Sequence, residues 1–271
     1  MENRELVQVN VEKIVSSKSG KFAHYIPKFV INYLRKIVHE DEINDVLQRS
    51  YNKYYGSDFA DFLLEDFGVT YTIKHEERIP QTGKLIVVSN HPLGGFDGIV
   101  LISIISKYLK NIKFPVNDLL MHIPNLQSLF VPINKTGNNN INLAKSFEEI
   151  FNKEHTILYF PAGLCSRKIN GKIVDLPWKK TFVSKAKQYG YDILPLRFEG
   201  RNSNFFYNLA NIRKKIGIKF NIEMLYLADE FFKQKNAHFN IIVGNVIANK
   251  HLYESDDLKM ANKIRELVYQ L

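Results

Sequence analysis

The chain has 271 residues, 45% of them hydrophobic, which is enough to bury one sizeable core or two smaller ones. Its 37 lysines and arginines exceed its 28 acidic residues and give a formal net charge of +9. This charge favours an anionic partner such as phosphate, a lipid surface, an acidic carrier protein or nucleic acid. The single cysteine, Cys165, excludes an internal disulfide framework and a cysteine-based zinc cluster.

The N-terminal residues MENRELVQVNVEKIV mix acids and bases where a signal peptide requires an uninterrupted apolar core, so we expect that the protein is not exported. The most apolar window, IVLISII at 99–105, is preceded by Asp97 and Pro92. It therefore falls short of the roughly 20 residues that span a bilayer. We expect that any contact with a membrane is peripheral.

Helical patterns occupy the first 75 residues. The segment IPKFVINYLRKIV repeats apolar residues at the spacing of one helix face, and SDFADFLLEDF starts with the N-cap candidate Ser57. We therefore expect residues 1–75 to form a helical extension packed on the core. The apolar residues Phe29, Tyr33, Leu34 and Ile37 fit either packing on that core or docking into a membrane interface.

From residue 83 onward, strand and helix patterns alternate. The predicted strands are LIVV at 85–88, IKFPV at 112–116, LFVPI at 129–133, TILYF at 156–160, DILPLRF at 192–198 and FNIIVG at 239–244. The predicted helices cover residues 97–109, 117–124, 141–153, 178–189, 203–216 and 255–270. This alternation indicates a layered α/β domain over residues 76–271.

The segment SNHPLGGFD at 89–97 directly follows the buried strand LIVV. Proline lacks an N–H group and ends strand pairing, so His91 lies at the carboxyl edge of the strand. The two glycines allow a tight return, by which Asp97 in the next helix reaches the imidazole. A carboxylate on one ring nitrogen fixes the tautomer and raises the basicity of the other. The spacing fits a catalytic dyad, and it also fits a helix-capping aspartate beside a structural histidine.

Four motifs, SNHPLGGFDG, FPAGLCSRK, WKKTF and DILPLRFEGRNSNFF, occur in this order. Together they resemble the 1-acylglycerol-3-phosphate acyltransferase (lysophospholipid acyltransferase) superfamily over roughly residues 70–245. More narrowly, they resemble the branch labelled hemolysin, which includes O-acyltransferases of ornithine-type and other amino-acid lipids. The resemblance implies an α/β, layered domain with a mixed, largely parallel sheet flanked by helices and an N-terminal helical extension.

The same resemblance implies His91 as general base and Asp97 as its orienting partner, with five residues between them instead of the four usual in the superfamily. The second superfamily block ends in a phosphate-gripping arginine, whereas here LFVPINKTGNNN offers Lys135, which makes an amino-acid or other lipid head group more plausible. The third block has Ala162 in place of a glutamate. Arg167 stands two places later than the usual arginine.

We take Lys135, Gly163, Ser166 and Arg167 as substrate-binding residues from this resemblance. Lys135 fits an ordinary solvated loop lysine equally well, and Arg167 also fits a surface salt bridge. Cys165 is interpreted as a structural thiol, because a nucleophilic role would require a base of its own.

The implied reaction moves a fatty acyl group from acyl-CoA or acyl carrier protein to the hydroxyl of a lysolipid, either lysophosphatidic acid or a lyso-amino-acid lipid. Neither a bound cofactor, a metal nor an acyl-enzyme is expected. Donors near Gly163 or at the start of the helix that contains Asp97 would stabilise the oxyanion. A non-catalytic membrane-binding or lytic protein and an N-acyltransferase of an amino-acid lipid stay open as alternatives.

The expected partners are the lysolipid acceptor and, where it is the donor, the acyl carrier protein. We also expect peripheral association with the cytoplasmic face of the inner membrane. Basic clusters such as Lys179-Lys180 and Arg213-Lys214-Lys215 suit anionic lipid head groups or the phosphates of coenzyme A, although each lysine by itself fits a solvated surface. Binding of nucleic acid is not expected, because no binding motif accompanies the basic composition.

Overall fold

The computed structural model describes residues 8–19, 26–117, 121, 123–133 and 147–271. The chain divides into two compact units. We call Met1–Tyr54 with Asn202–Lys235 the helical unit, and Tyr55–Arg201 with Asn236–Leu271 the sheet unit.

The helices are α1 (Val11–Ser19), α2 (Lys28–Val38), α3 (Glu40–Ser50), α4 (Ser57–Asp66), α5 (Phe96–Ile105), α6 (described over 147–152), α7 (Thr181–Tyr189), α8 (Asn204–Lys215), α9 (Leu227–Phe232) and α10 (Asp257–Gln270). The strands are β1 (Thr70–Lys74), β2 (Leu85–Ser89), β3 (Ile112–Val116), β4 (Phe130–Pro132), β5 (Thr156–Tyr159), β6 (Arg167–Ile169), β7 (Lys172–Val174), β8 (Asp192–Glu199) and β9 (His238–Val243). Within the described part of the chain, no helix is both long and apolar enough to cross a bilayer.

The sheet unit contains a seven-stranded sheet in the order β1-β9-β8-β2-β5-β3-β4. The five strands from β8 to β4 run parallel, whereas β9 pairs antiparallel with β8 and carries β1 parallel beside it. The expected mixed, largely parallel sheet flanked by helices is thus confirmed. Val88 lies opposite both Tyr159 of β5 and Pro195 of β8, so residues following β2 and β5 meet at one edge of the sheet.

The centre of the sheet unit explains why its sequence is so apolar. All five residues of β2 and all ten of α5 are buried, because a central parallel strand and the helix covering it have no face toward water. Gly98 permits the close approach of α5 to the sheet. A Cβ atom at this position would lie 2.9 Å from Cε1 of Phe114.

The division of the chain differs from the expected boundary at residue 75. Helix α4 and strand β1 belong to the sheet unit, since β1 pairs with β9 over Thr70–Lys74. In turn, residues 202–235 group with the N-terminal helices. The sheet unit also contains a β6–β7 hairpin that the sequence analysis did not predict. Half of the helix predicted at 117–124 lies outside the described residues, and a short 3₁₀ helix spans Pro124–Leu126.

The helical unit resolves part of the ambiguity in α2. Ile37 is buried and Leu34 is half-buried, whereas Phe29 and Tyr33 are exposed. The following helix begins with the buried Glu40, whose carboxylate accepts hydrogen bonds from the Val11 amide at 2.7 Å and from Nε of Arg35 at 2.9 Å. The apolar pattern of α2 therefore serves packing at one end and leaves two aromatic side chains exposed at the other.

Candidate active site

The site begins where β2 ends. Nδ1 of His91 lies 2.9 Å from Oδ2 of Asp97, and the side chains are 14% and 0% exposed respectively. The chain reverses between them through Gly94, whose φ of +82° lies in the left-handed region that favours glycine. The sequence-predicted contact between the two side chains is therefore present in the structure.

Three backbone amides fix the carboxylate of Asp97 in place. Its Oδ1 accepts hydrogen bonds from the amides of Gly95 at 3.1 Å and Gly98 at 3.0 Å, and its Oδ2 accepts one from the Leu93 amide at 3.0 Å. Burial acts to raise the pKa of Asp97. The charge and hydrogen bond of His91, with the amides of Leu93 and Gly98, outweigh burial, so the pKa lies below its ordinary value of 3.8. The carboxylate is thus ionised at neutral pH.

An aromatic side chain also packs against the face of the His91 ring. Phe160, the residue after β5, stacks on His91 with ring centroids 4.0 Å apart and an interplanar angle of 19°. Phe114 of β3 meets the Phe160 ring edge-on at 5.5 Å. Because Nδ1 is directed at Asp97, Nε2 is the ring nitrogen directed away from the carboxylate. This orientation suits a base that takes a proton through Nε2.

A second buried aspartate, which the sequence analysis missed, holds the backbone of His91. The carboxylate of Asp175 accepts hydrogen bonds from the His91 amide at 3.2 Å, the Ser166 hydroxyl at 2.6 Å and Nε1 of Trp178 at 2.8 Å. The Ser166 amide in turn donates to the His91 carbonyl at 2.8 Å. Both backbone polar groups of His91 are therefore bound by the pair Asp175 and Ser166.

Helix α10 reaches the same aspartate. The Asp175 amide donates to the Tyr269 hydroxyl at 2.7 Å, and Nη2 of Arg265 donates to the Asp175 carbonyl at 3.0 Å. Burial, together with the negative charge of Asp175, raises the pKa of Tyr269 above its ordinary range. One available signal was the lone acid in the apolar stretch IVDLPW, because a buried carboxylate requires partners.

Three of the four predicted substrate-binding residues, Gly163, Ser166 and Arg167, lie in the turn after β5 and in the following strand. Gly163 is exposed with a φ of +68°, and a Cβ atom there would lie 3.1 Å from Nζ of Lys179. The backbone of Lys179 is tied to the same turn, since its amide donates to the Pro161 carbonyl at 3.1 Å. Because Gly163 has no side chain, the Lys179 ammonium lies close to the backbone of this turn.

Ser166 and Arg167 are interior residues. Ser166 bonds to Asp175, and Nη1 of Arg167 donates to the carbonyl of Cys165 at 2.8 Å and contacts its Sγ at 3.0 Å. The surface salt bridge considered for Arg167 is excluded by its burial, and Cys165 is buried as well. Contact of Ser166 and Arg167 with a substrate stays a prediction. Lys135 lies outside the described residues.

No group of three or more histidine, cysteine or acidic side chains is placed to hold a metal ion in the described ranges. The site geometry is that of an acid–base centre. An ionised carboxylate orients an imidazole, the imidazole stacks on an aromatic ring, and its peptide is bound on both sides.

Comparison with known proteins identifies the family. A family model described as Acyltransferase matches residues 13–270. A lyso-glycine lipid O-acyltransferase of Phocaeicola vulgatus is 46% identical over 273 residues, covering 100% of this chain and 98% of that protein. A lyso-glycine lipid O-acyltransferase of Bacteroides thetaiotaomicron is 45% identical over 273 residues, with 100% of both chains covered.

The fold has a counterpart among solved structures. The crystal structure of the 1-acyl-sn-glycerophosphate (LPA) acyltransferase PlsC from Thermotoga maritima matches with a TM-score of 0.50 at 18% sequence identity. The match covers 89% of this chain and 90% of that one, and it concerns the fold alone. From the family match and the two full-length relatives, the chain belongs to the acyltransferase family and is an acyltransferase.

Proposed function

We propose that this acyltransferase transfers a fatty acyl group to the hydroxyl of a lyso-glycine lipid. The observation that carries the proposal is its identity of 46% and 45%, over the whole chain, to two enzymes named for that acceptor. The sequence supports the same class of head group. Its second motif block lacks the arginine that would grip a phosphate bidentately, which favours an amino-acid lipid over lysophosphatidic acid.

In the proposed mechanism, His91 is the general base and Asp97 its orienting partner. Nε2 of His91 takes the proton from the acceptor hydroxyl while the oxygen attacks the thioester carbonyl carbon. The tetrahedral intermediate collapses, the carbon–sulfur bond breaks, and the thiolate leaves with the proton from the imidazolium. Asp97 stabilises the imidazolium and keeps hydrogen on Nδ1 before each turnover. No acyl-enzyme forms.

Three glycine amides near the dyad already donate to groups of the protein itself. The amides of Gly95 and Gly98 already donate to Asp97, and the amide of Gly163 donates to the Phe160 carbonyl at 3.0 Å. The positive charge nearest this turn is the Lys179 ammonium, whose Nζ lies beside Gly163, and we propose that it stabilises the oxyanion or the anionic head group. The acyl donor in this proposal is acyl-CoA or acyl carrier protein, and the enzyme works on the cytoplasmic face of the inner membrane.

The direct test measures thiol release by the purified protein. Acyl-CoA and acyl carrier protein are supplied as donors, with lyso-glycine lipid, lysophosphatidic acid or no acceptor. We expect thiol release with lyso-glycine lipid, little with lysophosphatidic acid and none without acceptor. Mild alkali should cleave the product, because an ester is labile under conditions where an amide from N-acylation survives.

His91→Ala should abolish transfer. The chain offers a matched control in His251, whose Nδ1 lies 2.9 Å from Oε1 of Glu254, the same separation as in the pair of His91 and Asp97. The control pair is more than half exposed on both sides. His251→Ala should retain wild-type activity. Full activity of His91→Ala, or equal turnover with and without acceptor, would contradict the proposal.

A further inference from the structure

The helical unit exposes an unusual amount of apolar surface. It holds about a third of the chain, yet two thirds of the large hydrophobic residues exposed in the described ranges belong to it. Scattered exposed residues of this kind are ordinary on soluble proteins, but a local concentration marks an interaction surface. The sheet unit, which contains the dyad, carries fewer of these residues on a larger chain.

Part of this concentration lies at the end of α8 and in the loop after it. We call it the 212–220 surface; its members are Ile212, Lys214, Lys215, Ile216, Ile218, Lys219 and Phe220, all exposed. Its four apolar side chains are between 40% and 64% exposed. Phe205 and Ile212 lie seven positions apart on α8 and so share one helix face that leads to this surface.

The loop has a defined geometry that presents these side chains. The buried Arg213 forms an ion pair with the buried Glu223 at 2.8 Å, and its Nη1 donates to the Ile218 carbonyl at 2.8 Å. Gly217, with a φ of +77°, ends the helix, and the Ile218 amide donates to the Arg213 carbonyl at 3.0 Å. The apolar residues on either side of Gly217 are thus directed outward by buried polar contacts beneath them.

The charge pattern indicates what covers the 212–220 surface. From residue 200 to residue 222 the sequence contains five cationic and no acidic side chains. Three of the cations alternate with the exposed isoleucines and Phe220. An acidic protein would match the lysines, but it would leave the protruding apolar side chains without an apolar partner. An anionic bilayer matches both, since its phosphates meet the lysines and its acyl boundary receives the apolar side chains.

We propose that the 212–220 surface docks the enzyme on an anionic lipid bilayer. Ile216, Ile218 and Phe220 enter the boundary between head groups and acyl chains, and the neighbouring lysines bind lipid phosphates. The inference rests on the proposed function in that an enzyme with a lipid acceptor must meet the surface where the acceptor resides. It assigns that contact to a loop of the helical unit, separate from α2, for which the sequence left membrane docking open beside packing.

Vesicle flotation tests the docking without any turnover. The full-length protein is mixed with vesicles of equal parts phosphatidylglycerol and phosphatidylcholine, or with phosphatidylcholine alone. The wild type and His91→Ala should float equally with the anionic vesicles, which separates this test from that of the proposed chemistry. Combined Lys214→Gln, Lys215→Gln and Lys219→Gln should weaken binding on the order of 100-fold at low salt, since each lysine near an anionic surface contributes roughly fivefold.

Combined Ile216→Ser, Ile218→Ser and Phe220→Ser should weaken binding about tenfold or more by removing apolar insertion. Tyr253→Ser with Leu258→Ser changes two side chains of the sheet unit that are 61% and 52% exposed, and this control should bind as the wild type does. Circular dichroism verifies the fold of each variant. Wild-type flotation by both folded 212–220 variants would overturn the proposal. Binding to immobilised acyl carrier protein is measured with the same variants. If the 212–220 variants lose this binding but float as the wild type does, the proposal is overturned as well, in favour of a protein partner.

Discussion

Asp97→Asn probes the dyad with the smallest possible change in shape. The carboxylate accepts four hydrogen bonds, two at each oxygen, whereas an amide has one acceptor oxygen and one donor group. With either orientation of the amide, its NH₂ group faces two positions that now hold donors. If it faces His91, the imidazole must accept at Nδ1. Hydrogen then resides on Nε2, and that nitrogen is no longer a base.

The expected magnitudes follow from these contacts. With the NH₂ group toward His91, whose ring then accepts, the Leu93 amide is the buried donor left unsatisfied, and this lowers the free energy of unfolding by about 1–3 kcal/mol. Loss of the orienting carboxylate lowers kcat by roughly 10⁴-fold in a serine-protease triad, where the aspartate has the same task. We expect a loss on the order of 10³- to 10⁴-fold here, with a smaller change in KM.

The assay combines initial rates of thiol release with unfolding by urea. Glu254→Gln is the matched control, because it makes the same chemical change in the exposed pair with His251. It should change neither kcat nor the urea midpoint. Retention of kcat within a factor of about ten by a folded Asp97→Asn enzyme would refute the reasoning, since an orienting carboxylate could not then be required.

Three further predictions concern stability and pH. Asp175→Asn removes part of the support of the His91 peptide, so it should lower the free energy of unfolding by about 1–3 kcal/mol, measured by urea unfolding. Rate measurements should show a clear fall in kcat and a smaller change in KM. Gly98→Ala should cost about 1–3 kcal/mol in the same unfolding assay, since its Cβ atom would lie 2.9 Å from the ring of Phe114; an unchanged midpoint would show that this contact relaxes freely. The stability that the lowered pKa of Asp97 contributes is present above about pH 4 and is lost as the pH falls through the folded-state pKa. The urea midpoint of the wild type should therefore drop more steeply in acid than that of Asp97→Asn.

Local patterns predicted the elements that form the site. The apolar run LIVV and the proline after His91 located the end of β2, and the two glycines indicated the return that brings Asp97 to the imidazole. One local signal was overlooked. Asn170-Gly171 between β6 and β7 is a strong hairpin signature, and both residues have positive φ. Arg167 lies in this hairpin, where it pairs with Val174.

Contacts between distant residues were not accessible from periodicity. The grouping of residues 202–235 with the N-terminal helices depends on contacts such as Tyr33–Tyr226 and His39–Asp229, 193 and 190 positions apart in sequence, which a helix pattern does not specify. The same holds for Asp175, because its partners come from the end of β2, the turn after β5 and helix α10. Sequence patterns located the pair of His91 and Asp97, and contacts between distant segments support it.

Hydrogen bonds connect Tyr269 and Arg265 of α10 through Asp175 to the amide of His91, so this helix supports His91 from a distance. Tyr269 stands two positions before Leu271, and its own carbonyl accepts a hydrogen bond from Nη1 of Arg197 on β8 at 3.0 Å. A substitution on α10 at Tyr269 or Arg265 should therefore disturb the position of His91 although neither residue contacts it in these bonds.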